Sequence, residues 1–590
     1  MNINIIAKSR AYRYLAMITL AIALTLLLSL AAFAETEPND SIAEAIPLSI
    51  GLTNAEVNAT LSFETDEDYY RFNAVAGRTY VIETFDIQGT GSNATGLWLY
   101  NGDETLIADD DDGDNGTGNA NARIVYTFTT SGTYFIRVRR AQFVTWQGTY
   151  SLRVLPKHSE EGADWSVTDD NEPNDVLELA NELEIGLINA QTHQLFDTTN
   201  FVTSGSDHDW YHFTPGADRT YVIETFNIQG TGSNGTGLWL YNSSGSLITD
   251  DQNGRNGTGD ADARIVYKFT TDDIHYIRVR HEPFGSWRGT YSIRILPKHN
   301  EPGAEWDDAQ DDEPNGVLEI ANEISVGLSN AQTHELFDAS SFITNDSDYD
   351  WYHFTPETDR TYVIETYNIQ GTGTRGTGLW LYNSSGSLIT DDENGRNGTD
   401  DADARIVYTV TSGETHYIRV RRETFGEWKG TYSIRVLPKH DEPGAAWESN
   451  NDDEPNGVLA LANAIQVGAE NAQTHRLFDH TNFITNDSDR DWYHFDAQAG
   501  QTVVIETFDV QAAGRATGLW LYDASGTEID EDSSGDRNTG QAKITFTFTT
   551  AGTYYVMVKD ADFQTWTGAY SLRVCNNSCA KPLFLPFVTR

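Results

Sequence analysis

The 590-residue chain carries 39 Lys and Arg against 88 Asp and Glu, a formal net charge of −49, with aromatic residues at 12%. That is material for roughly three to five ordinary domains, each with its own core. The charge excludes nucleic acid as a natural partner, because phosphate binding needs a basic surface. It leaves two readings of the acids: solubility by self-repulsion or, where they cluster, capture of divalent cations.

Residues 1–34 stand apart. Lys8, Arg10 and Arg13 make a basic start, an apolar run follows from Leu15 to Leu30, and Ala32-Phe33-Ala34 has the small-x-small spacing of a signal-peptidase site. The run is short for a bilayer span. The segment therefore reads as a cleaved signal peptide, and the protein as secreted, extracellular or at the cell surface; an uncleaved anchor is the alternative. No cysteine follows the site, which argues against a lipoprotein, and no other stretch is apolar enough to cross a membrane. Loss of the three leader cations takes the charge from −49 to −52.

The remainder repeats with a period of about 141 residues. G-L-W-L-Y begins at Gly96, Gly237, Gly378 and Gly518. T-Y-V-I-E-T begins at Thr79, Thr220 and Thr361, with T-V-V-I-E-T at Thr502. G-T-Y-S begins at Gly148, Gly289 and Gly430, with G-A-Y-S at Gly568. Solenoid repeats are shorter, roughly 20–50 residues; a copy of this length can bury a core and reads as a domain.

In chain order the first copy offers strands at Tyr69–Phe72, Thr79–Phe85, Leu97–Tyr100, Arg123–Thr129, Thr133–Arg139 and Gly148–Val154. In the last, Tyr150, Leu152 and Val154 alternate with Thr149, Ser151 and Arg153; Ile136 and Val138 alternate with Arg137 and Arg139. Period two means one buried face and one wet face. Gly, Asn, Asp and Ser clusters between them read as turns. Seven or eight short strands per copy and no long helix imply an all-β chain of four tandem antiparallel β-sandwich domains, jelly-roll-like. The expected boundaries are 35–156, 165–297, 306–438 and 447–575, with a tail over 576–590. Val176–Ala180 can make one helical turn after Asn174-Asp175. L-P-K-H at Leu155, Leu296 and Leu437 closes the first three copies and leads into acidic segments holding Trp165, Trp306 and Trp447. Linkers of about ten residues then predict a semi-flexible, monomeric string.

Two acidic elements bracket the first strands of every copy. The first is Glu35-x-Glu37-Pro38-Asn39-Asp40, with counterparts Asp170-x-Glu172-x-Asn174-Asp175, Asp311-x-Glu313-x-Asn315 and Asp452-x-Glu454-x-Asn456. The second precedes the aromatic strand: Asp66 and Asp68, Asp207 and Asp209, Asp348 and Asp350, Asp489 and Asp491. Ca²⁺ takes roughly six to eight oxygens at about 2.3–2.6 Å, and crowded carboxylates without a cation repel or take up protons. The competing reading is that Asn39 and Asp40 cap a turn and the acids are solvated. The run after G-L-W-L-Y, Asp109–Asp114 in the first copy, is a second acidic cluster. It lacks the Glu and helices of an EF-hand and reads as a solvated turn.

E-x-E-P-N-D, D-x-D-[WY]-Y-x-F, the G-x-T-Y-x-I strand, G-L-W-L-Y and a closing G-T-Y-S-L-R-V together resemble the bacterial pre-peptidase C-terminal domain, a family that includes the collagen-binding modules of clostridial collagenases. The resemblance covers all four copies. It implies a non-catalytic jelly-roll module of secreted proteins that often binds Ca²⁺ at its N-terminal linker. Carried over, Glu35, Glu37, Asn39, Asp40, Asp66 and Asp68 are the first copy's ligand candidates. Gly316 and Gly457 replace the last Asp of the head, and Asp311 and Asp452 replace the first Glu, so the third and fourth sites are one carboxylate poorer.

Other recurrent groups are read as structural. His193, His334 and His475 recur in A-Q-T-H, and His212, His353 and His494 in W-Y-H-F. The first copy has Asn58 or a neighbour, and Arg71, in their place; no nucleophile or zinc motif accompanies them. The second set should face away from the core if Tyr211 and Phe213 point inward. Glu83, Glu224, Glu365 and Glu506 lie inside an apolar strand and need a partner, for which Arg139, Arg280 and Arg421 are candidates. Trp98, Trp239, Trp380 and Trp520 read as core; Trp146, Trp287, Trp428 and Trp566 read as core or loop packing, with a sugar- or peptide-binding surface as the alternative. Cys575 and Cys579 suit a local disulfide in an exported protein. The apolar tail from Pro582 is either a sorting signal or an edge strand. With no non-repeated segment of catalytic size, the chain reads as a non-enzyme. Four linked modules suit a protein fibre or polysaccharide; the alternative is an accessory part of a secreted peptidase or glycosidase system.

Overall fold

The computed structural model describes residues 37–62, 65–90, 95–111, 121–141, 146–163, 173–195, 207–252, 262–281, 287–304, 315–336, 348–393, 403–423, 427–445, 456–477, 490–511, 517–536, 539–561 and 568–579. The leader, the three linker Trp residues, Trp566, residues 112–114 of the Asp109–Asp114 loop and the tail from 580 lie outside the described residues. So do Glu35, Asp170, Glu172, Asp311, Glu313, Asp452, Glu454 and Asp489.

In the first module nine strands form: β1 (Ile46–Pro47), β2 (Glu56–Leu61), β3 (Asp68–Ala74), β4 (Thr79–Thr90), β5 (Thr95–Tyr100), β6 (Leu106–Asp110), β7 (Arg123–Thr127), β8 (Gly132–Arg140) and β9 (Gln147–Pro156). They pair as a five-stranded sheet, β1-β3-β8-β5-β6, and a four-stranded sheet, β2-β9-β4-β7. Every pairing in this module is antiparallel except the two-residue edge contact of β1 with β3. Without that edge strand the order is that of an eight-stranded jelly roll. The same two sheets recur in the other three modules, so the all-β, four-sandwich expectation holds. The nine described strands of each module exceed the seven or eight that the sequence suggested, and the two-residue β1 is too short to leave a periodic signal.

Alternation sends Tyr70, Phe72, Tyr80, Ile82, Leu97, Leu99, Ile136, Val138, Tyr150, Leu152 and Val154 into one core between the sheets. Equivalent clusters fill the other modules. Full burial of side chains of this size contributes about 1.5–3 kcal/mol each. Trp146, Trp287 and Trp428 are core residues, at 3%, 0% and 0% exposure. Glycine makes room for them: Gly148 lies opposite Gly89, and a Cβ on Gly148 would stand 2.0 Å from the Gln88 carbonyl and 2.6 Å from the Trp146 ring.

Trp98 is buried but not in that core. It faces outward from the five-stranded sheet, beneath the guanidinium groups of Arg137 and Arg139, 4.6 and 4.3 Å from its ring. Trp239, Trp380 and Trp520 take the same cationic cover from Arg278 and Arg280, Arg419 and Arg421, and Lys559. This corrects the core reading of G-L-W-L-Y: its leucines enter the core and its tryptophan and tyrosine do not.

Glu83 also finds other partners than expected. Its carboxylate receives Arg123 Nε at 2.7 Å and Arg153 Nε at 2.6 Å. β4 lies between β7 and β9, so Arg123 and Arg153 stand directly across from Glu83. Arg139 is on the other sheet. Burial pushes the Glu83 carboxyl upward, but Arg153 and Arg123 outweigh it and hold the group below the usual carboxylate range. Glu224 and Glu365 repeat the triad with Arg264 and Arg294, and with Arg405 and Arg435. Glu506 uses Lys543 and Arg573.

The chain divides into two compact units between Leu296 and Pro297. Within the first, modules one and two are docked. The outer face of the first module's four-stranded sheet offers Val81 and Leu155; Leu179, on the 3₁₀ turn Leu177–Leu179, packs on them, and all three are fully buried. Arg123 Nη2 reaches Asp175 Oδ2 at 3.1 Å. Within the second unit, Val363 and Leu437 hold Leu461 in the same manner, and Arg405 donates to the Gly457 carbonyl at 3.3 Å. The described part of the linker is thus a packed joint in each unit, where the sequence suggested a semi-flexible tether. In the fourth module the equivalent positions are Val504 and Cys575, and Cys579 occupies the seat that Leu179 fills in the first joint. The Cys575–Cys579 disulfide is formed, with Cα atoms 5.2 Å apart.

Candidate metal centre

The head of the first module and the start of β3 are brought together by backbone: the Tyr69 amide donates to the Asn39 carbonyl at 2.9 Å. Glu37, Asp66 and Asp68 then place one oxygen each within 4.8 Å of one another. Asp68 is fully buried and Glu37 exposed. The Asn39 amide donates to Glu37 Oε2 at 3.3 Å, and the Ser62 amide to Asp66 Oδ2 at 2.5 Å. Asp68 Oδ2 accepts the Tyr150 hydroxyl at 2.5 Å, and Tyr70 and Tyr150 hydroxyls lie 3.0 Å apart. The hydroxyls fix the Asp68 carboxylate from the core side. Partial burial, then the charges of Asp66 and Asp40, raise the Glu37 carboxyl above its ordinary value, against the Asn39 amide. Three converging carboxylates with an Asn beside them form an all-oxygen donor set, the chemistry that suits a hard cation.

Asp40 is exposed. Asn39 itself is fully buried, as its counterparts Asn174, Asn315 and Asn456 nearly are. In the other modules the head still meets the aromatic strand: Trp210, Trp351 and Trp492 amides donate to the carbonyls of Asn174, Asn315 and Asn456 at 2.9 Å. Asp207, Asp209, Asp348, Asp350 and Asp491 are all buried. Asp209 and Asp350 accept Tyr291 and Tyr432 hydroxyls at 2.5 Å, and Asp491 accepts that of Tyr570. Burial first, and then the facing carboxylate, keeps these tyrosines protonated far above the ordinary phenol value. The head carboxylates of modules two to four lie outside the described residues. Asp175 gives Oδ2 to Arg123 across the joint, a role that sequence could not show because its partner lies in the preceding module.

The acids after G-L-W-L-Y do structural work where they are described. Asp110, Asp251 and Asp392 accept the amides of Arg123, Arg264 and Arg405 at 2.7–2.8 Å, tying β6 to β7 and its counterparts. His193, His334 and His475 pack edge-on against Tyr211, Tyr352 and Tyr493. His212 does face away from the core, but the rings of His158 and His212 stack.

The family model for the bacterial pre-peptidase C-terminal domain matches residues 66–140 and 489–560, in the first and fourth modules. Those two regions are similar to pre-peptidase C-terminal domains. The repeated sheets and motifs extend that architecture to the two modules between. Solved structures similar to the chain include the pre-peptidase C-terminal domain of a collagenase from Bacillus anthracis, at 21% identity, covering 21% of this chain and 98% of that one with a TM-score of 0.15. A CUB1-EGF-CUB2 fragment of human MASP-1/3 is 8% identical, covering 41% of this chain and 99% of its own, with a TM-score of 0.12. No curated protein matches at a significant level. Among the described residues, no helix is long and apolar enough to cross a membrane.

Proposed function

We propose that the protein is a secreted, non-catalytic array whose pre-peptidase C-terminal modules bind Ca²⁺ and serve as extracellular binding, adhesion or spacer units. The observation that carries the metal is the convergence of Glu37, Asp66 and Asp68 within 4.8 Å at the first module's head. A cation there would offset the burial and the Asp66 and Asp40 charges that raise Glu37 and tie the entering chain to β3. Tandem modules suit a repetitive target, a protein fibre or polysaccharide, since linkage multiplies weak contacts into avidity.

The test is a calcium titration of the full chain by calorimetry, paired with thermal melts in excess Ca²⁺ and in chelator. Calcium should raise the first module's transition, and Asp66→Asn should remove that rise. Identical melts with and without chelator would dismiss the metal. Co-sedimentation with insoluble polysaccharides and fibrous proteins tests the binding role; retention on none of them would leave the spacer role.

A further inference from the structure

Histidine stacks occur, among the described residues, where an exit segment meets the next five-stranded sheet. His158, from L-P-K-H, stacks on His212 with ring centroids 4.0 Å apart. Its Nε2 lies 3.2 Å from the Tyr276 hydroxyl, and its amide donates to the Glu178 carbonyl at 2.8 Å. The second unit holds two more such clusters. His299 stacks on His353 at 4.0 Å, with Tyr417 at 3.1 Å; His440 stacks on His494 at 4.1 Å, with Tyr555 at 3.1 Å. Their amides donate to the carbonyls of Glu319 and Ala460 at 2.8 and 2.9 Å. Among the described residues, the equivalent positions at the first module's entry and the fourth module's exit hold other residues. The first module, with no described module ahead of it, has Arg71 opposite Phe135 where the second has His212 opposite Tyr276. The fourth has Ser578 where the first has His158, three residues past Cys575 and Leu155 respectively.

We propose that each His–His–Tyr cluster is an acid-sensitive latch: neutral rings hold the exit segment on the following sheet, and protonation of a ring releases that segment from it. Two rings stacked at 4.0 Å cannot both carry charge cheaply, and a single charge would be buried against Tyr276. At the first latch the facing ionisable groups are Lys157 on the exit segment, Glu178 on the 3₁₀ turn, Glu182 across from His212 on the exposed edge strand, and Tyr276. Arg278, further along that strand, covers Trp239 and Trp210 instead. Glu160 is engaged by the Thr79 amide and Arg78. The second latch sees Lys298, Glu319 and Glu323. The third sees the Lys439–Asp441 ion pair at 3.0 Å, and Asp496.

Burial, then the neighbouring ring and Lys157, holds His158 at about 3; burial and Lys157 hold His212 at about 4. A histidine with a depressed docked value binds fewer protons docked than free. Docking is therefore at full strength above the free value and weakens as pH falls from there toward the docked value. With a free value of about 6.5 and a docked value of about 4 or below, one ring weakens docking about thirtyfold at pH 5.

Hydrogen exchange on the full chain at pH 7.5 and 5.0, corrected for intrinsic rates, reads the latches through the His158, His299 and His440 amides. Protection should fall by about thirtyfold or more at these amides while core strands such as β4 stay protected. The double variant His158→Phe with His212→Phe keeps a stacked pair without a titrating nitrogen; the first latch should lose its pH response while the other two keep theirs. Carbon-13 histidine spectra of the unaltered chain give a readout independent of the variant, with the His158, His212, His299 and His440 rings neutral at pH 5.5 in the closed state. Unchanged protection at the lower pH, an undiminished first-latch response in the double variant, or His158, His299 and His440 titrating near the free value of about 6.5 would each overturn the proposal.

Discussion

Glu83→Gln is the sharpest probe of the outer sheet face, because it changes charge and almost no volume. Glu83 is 1% exposed and faces Arg123 and Arg153, at 2% and 7%. Its oxygens accept their Nε atoms at 2.7 and 2.6 Å. Removing the carboxylate leaves two buried guanidinium groups short of a counter-charge, and breaking a buried pair in this manner costs about 3–5 kcal/mol. In a domain of this size that is roughly 10–20 °C of the first module's transition by scanning calorimetry. The fourth module supplies the control. There the Glu506 partners, Lys543 and Arg573, are 58% and 21% exposed, so water screens the loss and Glu506→Gln should cost well under half as much. The pH dependence follows from the depressed Glu83 value: the triad's contribution is complete above the ordinary Glu range and is lost as pH falls through the lowered one. A loss below about 1 kcal/mol for Glu83→Gln, or an equal loss for Glu506→Gln, would refute the reasoning.

Leu179→Ala empties a fully buried seat and should cost about 2–5 kcal/mol. The loss should appear as exposure of the first joint to hydrogen exchange, with Leu461→Ala doing the same in the second unit. Reduction of Cys575–Cys579 opens a short loop worth about 2 kcal/mol and uncovers Val504; calorimetry with and without reductant should move the last module's transition alone. Gly148→Ala puts a Cβ 2.0 Å from the Gln88 carbonyl. It should lower soluble yield and melting temperature sharply, whereas Gly132→Ala, with nothing within 4 Å, should be near neutral on both counts.

The sandwich was legible because Gly148–Val154 and Thr133–Arg139 alternate strictly, which marks the core face of each strand; the other face of Gly148–Val154 is not wet as expected, since Ser151 and Arg153 are buried too. G-L-W-L-Y does not alternate in polarity. Its tryptophan was assigned to the core because nothing in the string says that arginines on β8 would cover an apolar outer face. The Glu83 partners were misassigned for a topological reason. In a jelly roll β4 neighbours β7 and β9, and chain order does not reveal that β8 belongs to the opposite sheet. The meeting of the head with β3 was readable from spacing, since both acidic elements recur together. The roles of His158, His212 and Asp175 were not, because each is completed by a side chain from a neighbouring module. L-P-K-H looked like a tether for the same reason: its packing surface belongs to the next module, where Leu155 meets Leu179 and His158 meets His212.

The most direct measurement is an anomalous-difference map from crystals of the full chain grown in calcium chloride. The account predicts a calcium peak about 2.3–2.6 Å from oxygens of Glu37, Asp66 and Asp68. A map with those three carboxylates well ordered and no peak between them would contradict it.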